Sequence, residues 1–156
     1  MQLSMLLAVV IGAVYAQAAH HISFQVSGCS TAIMQVPGRG VFGAGEYDFD
    51  GDVNGIIASA GNVACSQDGV PCTSIEASLN SGISSADITL IPPHQYSAAA
   101  DMTITGANPG AAGNFASCHD PNCPDDQAFH QPTGTEAISQ RQVNDPNSGL
   151  IAKFTC

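Results

Sequence analysis

The chain has 156 residues, with 13 Asp+Glu against 3 Lys+Arg, six Cys and a formal net charge of −10. That balance is repelled by phosphate backbones and anionic lipid surfaces, so neither nucleic acid nor a membrane is an expected partner. With 16 Gly, 9 Pro and no Trp, long helices are also disfavoured.

In chain order, the first element is a leader. Leu3 to Val14 is almost unbroken apolar sequence and is followed by the small residues of Tyr15-Ala16-Gln17-Ala18-Ala19. A run this short suits the hydrophobic segment of a secretory signal peptide better than a membrane span. Residues 1–19 are therefore read as a signal peptide, with cleavage after Ala16, Ala18 or Ala19, although the leader lacks Lys and Arg. Residues 20–156 are then a single secreted β domain, extracellular or in a cell wall, and expected to be monomeric.

The rest reads as β structure. Ile22, Phe24 and Val26 alternate with polar neighbours, the pattern of a half-buried strand. Ala32–Val36 is a second candidate, ended by Pro37-Gly38, and residues 38–45 read as turns between short strands. Further strands are expected at residues 55–58, 74–79, 86–91, 102–105 and 150–155, with turn signals spaced as in a sandwich. Residues 108–135 are poor in large apolar side chains and read as a long loop pinned by Cys118 and Cys123.

The six cysteines permit 15 pairings. Proximity favours Cys65 with Cys72 and Cys118 with Cys123, which leaves Cys29 with Cys156, the last residue. A thiolate metal site lacks usable ligand spacing, so disulfides in an oxidising compartment are the expectation.

Several blocks resemble the thaumatin-like proteins. Ile22-Ser23-Phe24-Gln25-Val26-Ser27-Gly28-Cys29 is similar to the family's opening strand, and Thr73 to Asn80 to its acidic strand. Asp87-Ile88-Thr89-Leu90-Ile91 resembles a signature strand, while Cys123-Pro124-Asp125 and Ala152-Lys153-Phe154-Thr155-Cys156 resemble the closing region. Together with Leu90-Ile91-Pro92-Pro93-His94, these blocks are nearer still to small secreted fungal proteins of the "glycopeptide" type, read as a reduced thaumatin-like branch. The resemblance implies a disulfide-stapled, all-β thaumatin-like sandwich with long loops, its first and last cysteines paired, and without the larger family's cysteine-rich lobe.

It also implies an acidic cleft associated with β-1,3-glucan. Glu76 and Asp87 match two of the family's acidic positions. Ala58-Ser59-Ala60-Gly61 stands where a basic residue is expected, and Pro92-Pro93 near where another acid would fall. The leading expectation is a non-catalytic protein that binds cell-wall polysaccharide through Glu76 and Asp87, with no cofactor. Against it stands a reading of both residues as ordinary polar surface or loop anchors. One alternative is an enzyme, either a weak endo-β-1,3-glucanase, which needs one protonated and one ionised carboxyl, or a copper-dependent polysaccharide oxidase. The latter would use His20 as a processed N-terminus with His94 or His130. Another is an effector or structural wall protein without a sugar site. Asp50 to Ile57 matches the start of a calcium loop, but Gly61 occupies the position of the closing acid, so a polar turn is favoured. No Gly-x-Ser-x-Gly elbow supports a serine hydrolase.

Overall fold

A computed structural model describes residues 18–156; most of the expected leader lies outside them. Eleven strands and one short helix are found among the described residues. They are β1 (Ala19–Ser27), β2 (Thr31–Val36), β3 (Gly40–Phe42), β4 (Gly45–Asp50), β5 (Val53–Gly61) and β6 (Thr73–Leu79). Then come β7 (Ile83–Thr89), β8 (Ala99–Thr105), β9 (Phe115–Cys118), α1 (Glu136–Ser139), β10 (Arg141–Asn144) and β11 (Gly149–Thr155). A five-stranded sheet runs β4-β1-β11-β8-β9, and a six-stranded sheet runs β10-β7-β6-β5-β2-β3. No helix among the described residues is long and apolar enough to cross a membrane.

Period-two alternation dictates how the sheets pack. Ile22 and Phe24 of β1, Leu150, Ala152 and Phe154 of β11, and Met102 and Ile104 of β8 are buried on the inner face of the first sheet. Ile56, Ile75, Leu79, Ala86 and Ile88 answer them from the second. Phe24 and Phe154 meet edge to face, with ring centroids 6.0 Å apart. The first and last strands pair in parallel from Ile22↔Leu150 to Ser27↔Thr155, flanked by β4 and β8. Just beyond that ladder the Cys29–Cys156 disulfide closes a sequence separation of 127. Cys65–Cys72 and Cys118–Cys123 complete the set, and no described cysteine is free.

The structure adds elements to the expected strands. Within residues 108–135, Phe115–Cys118 forms β9 and pairs with β8. Its residues are two small side chains between Phe115 and Cys118, too few apolar groups for periodicity to register. Arg141-Gln142-Val143-Asn144 forms β10 with a single apolar residue, and β4 hides the packed pair Tyr47 and Phe49 among acids. Those acids serve an edge strand. His21 on β1 sits 2.8 Å from Asp48 and 2.9 Å from Glu46, and these hydrogen bonds raise its pKa.

Arg141 organises the rest of the long connection. It is 3% exposed, and its Nε donates to the Phe115 carbonyl at 2.5 Å, Nη2 to Asp126 at 2.5 Å, and Nη1 to Ile138 at 2.6 Å and Ser139 at 3.3 Å. One guanidinium thus satisfies carbonyls from β9, the following loop and α1, which a buried backbone needs.

The disulfides differ in what they restrain. From loop length alone, Cys29→Ser with Cys156→Ser is expected to lower unfolding free energy by about 5 kcal/mol, and Cys118→Ser with Cys123→Ser by about 2 kcal/mol. Urea unfolding of the two variants checks the order. Equal losses would mean that the long closure restrains the unfolded chain no more than the short one.

Candidate functional site

The outer face of the six-stranded sheet carries the carboxyl groups singled out in the sequence. In β6 the buried residues Ile75, Ala77 and Leu79 point inward, which turns Glu76 and Ser78 outward. In β7 Ala86 and Ile88 point inward and Ser85 and Asp87 outward. The register places Glu76 directly opposite Asp87, with Ile57 of β5 on the other side of Glu76. Directly opposed residues on one face stand close enough for their side chains to interact. A cleft of about 270 Å³ lies over this row, lined also by Gly55, Ser78, Ser85 and Gln140. Gly55, at φ 70°, sits in the irregular register between Val53 and Ile56, and its amide donates to Ser78 Oγ at 3.2 Å.

Electrostatics divides the pair into unequal partners. Burial, and then repulsion from Glu76, push the Asp87 carboxyl up to about 7, while the Gln140 side chain beside it pulls the other way. Up to about neutrality the cleft therefore holds Asp87 as a protonated carboxyl. The lining residues include no Lys or Arg to offset a negative charge.

One side of this face is sealed. Ser59 and Ser74 point outward yet are fully buried, with their hydroxyl oxygens 2.7 Å apart. The Cys65–Cys72 loop covers them. Gly69, at φ 78°, comes so close that a Cβ there would stand 2.2 Å from Ser74 Oγ and 2.7 Å from Ser59 Oγ. His94 packs against the same spot, its Nδ1 3.1 Å from Ser74 Oγ and 3.3 Å from the Cys72 carbonyl oxygen. Its other nitrogen, Nε2, is 3.9 Å from Glu76 Oε1. His94 thereby borders the carboxyl site on the Glu76 side.

Other candidates are dispersed. His20 faces the interior at 0% exposure, with Nδ1 donating to the Ser148 carbonyl at 2.7 Å, so its ring is not available at the surface to share a metal with His94 or His130. His130 instead places Nε2 2.7 Å from the Cys123 carbonyl oxygen, and His119 bonds Asp101. Asp50 ends β4 and Asp52 lies in the turn before β5, where its Oδ1 accepts from the Ser81 amide at 2.8 Å. Among the described residues, no group of three or more His, Cys, Asp or Glu side chains is arranged to hold a metal ion. Ser78 and Ser85 flank the acids by strand alternation, two residues along β6 and β7, whereas Gln140 escapes sequence reading because only the pairing of β10 with β7 brings it there.

A scan against protein-family models finds no match, and a search of curated proteins finds no significantly similar one.

The raised Asp87 pKa makes a signed prediction. The native carboxyl holds its proton to about pH 7, whereas an unfolded Asp releases it near 3.9. Stability is therefore lost as pH rises between those values, and the penalty is complete above the native pKa. Asp87→Asn should match wild type in stability near pH 4 and exceed it by about 2 kcal/mol at pH 8, a figure reduced for the residue's partial exposure. Urea unfolding at both pH values measures this. Glu76→Gln should lower the Asp87 midpoint in a carboxyl NMR titration, and an unmoved midpoint would show that the two groups are not coupled.

Proposed function

We propose that this protein is a secreted, thaumatin-like polysaccharide-binding protein that engages cell-wall β-glucan in the Glu76–Asp87 cleft. The observation carrying this reading is that the two acids are opposed on one sheet face and share a cleft with Ser78, Ser85 and Gln140. An anionic carboxylate accepts hydrogen bonds from sugar hydroxyls, a protonated carboxyl donates one, and serine and glutamine do both. The acidity of the cleft disfavours anionic polymers and suits neutral ones. Three disulfides and the apolar leader support an extracellular setting.

Binding is favoured over hydrolysis by placement. Glu76 and Asp87 stand side by side on one wall, whereas glycoside hydrolysis uses carboxyls that flank the scissile bond. One observation nevertheless favours a weak endo-β-1,3-glucanase as the second reading: Asp87, a carboxyl raised to about 7 and facing a second carboxyl, suits the role of a general acid.

Retention on insoluble β-1,3-glucan at pH 5.5 tests the proposal. Wild type is expected to be retained, and Glu76→Ala with Asp87→Ala to lose roughly tenfold or more in affinity, as when buried polar contacts are removed from a site. Unretained wild type, or retention indifferent to both substitutions, would remove the assigned site. Release of reducing ends from laminarin that disappears with Glu76→Gln or Asp87→Asn would move the reading to the hydrolase.

A further inference from the structure

Beside Glu76, on one side of the cleft it forms with Asp87, stands His94, with Nε2 3.9 Å from Glu76 Oε1, and on another side the cleft continues. Gln140 lines that cleft and also a second depression of about 150 Å³ bordered by Gly110, Glu136 and Gln142. Ala111, Ala112 and Ala137 line this second depression and a third of about 660 Å³, whose walls carry Phe115 and Ile138. We propose that the three depressions form one groove that binds a neutral polysaccharide chain over several consecutive sugar rings, with Phe115 as the apolar platform at its far end. The proposal rests on the reading of the first cleft as a sugar site.

Size and chemistry carry the extension. The first cleft alone is below the roughly 300–1,000 Å³ of ordinary ligand pockets, so a polymer must run beyond it. Phe115 is 51% exposed and Ile138 49%, two large apolar side chains on one depression at the far end of the path. Ser117 and Gln127 border the same depression and bring hydroxyl and amide groups beside them. A pyranose ring needs that combination: an apolar surface for its C–H face and polar groups for its hydroxyl rim.

Charge disfavours an anionic polymer. The cation in the groove wall, Arg141, has its donors turned to four backbone carbonyls, whereas Glu76, Asp126 and Glu136 line the path with acids. The same guanidinium holds β9, the loop and α1 together, so the far wall is organised before any chain arrives and costs little ordering on binding.

Calorimetric titration with β-1,3-gluco-oligosaccharides from disaccharide to octasaccharide tests the groove. Wild-type affinity is expected to rise roughly tenfold or more between the disaccharide and the hexasaccharide. Phe115→Ala and Ile138→Ser should each abolish most of that gain while leaving disaccharide affinity unchanged, and Phe115→Trp should keep it. In wild type, the amide NMR signals of residues 111–117 and 136–138 should move with the hexasaccharide and not with the disaccharide, a readout that needs no variant to fold. Affinity independent of chain length, a gain surviving Phe115→Ala, or unmoved amides would overturn the groove while leaving the first cleft standing. Absence of binding to every oligosaccharide would overturn the first cleft and the groove with it.

Discussion

The parallel ladder between β1 and β11 is the constraint on which the rest of the molecule depends. It joins the two most distant strands in the middle of the five-stranded sheet, and the edges of that sheet attach to it: β4 through β1, and β8 with β9 through β11. Such a contact has a high loop-closure cost, which the chain must meet before most of the sheet can form. Cys29–Cys156 offsets that cost once oxidised, because it limits how far the two strands can separate. With the ladder in place, Phe24 and Phe154 offer a continuous apolar wall. Against it the six-stranded sheet buries one face and leaves the other for chemistry.

That other face is itself divided. Over Ser59 and Ser74 it is dry, sealed by Gly69 and the short disulfide loop; over Glu76 and Asp87 it is open. The boundary runs through β6, where Ser74 and Glu76 are successive outward residues. Asp87 loses most of its hydration there and faces Glu76, and it keeps its proton for those two reasons. On the opposite sheet, Glu46 and Asp48 have His21 between them and so carry their charge with a partner. Two acidic sites on one acidic protein thus differ because the acids of one bond directly to an exposed imidazole, whereas Asp87 of the other is buried beside a second acid.

Sequence carries some of this and not the rest, for physical reasons. Strands with several inward apolar residues, such as Ile22–Val26, Thr73–Leu79 and Gly149–Thr155, are legible because period-two burial writes itself into composition. Short edge strands such as Arg141–Asn144 bury one apolar side chain and are held by pairing, which leaves no local trace. The three disulfides follow from spacing in two cases and from remainder in the third. The acids of the cleft are visible as types, but their opposition depends on the β6–β7 register. Gln140 joins them only because Arg141 begins a strand paired with β7. Phe115 was hidden for the converse reason: an aromatic in a stretch of small and polar residues marks no buried face, and it turns out half exposed.

The facing acids also act on assembly of the sheet. Side chains alternate at every residue, so slipping one of these strands by a single position would drive its carboxyl into the core and expel Ile75 or Ile88 to water. Each acid thereby penalises the misaligned hairpin on its own strand, and the turn at Asn80 to Gly82 need not specify the alignment unaided. Replacing both acids by uncharged apolar residues would leave the native ladder intact on paper and remove a guard against its nearest competitor.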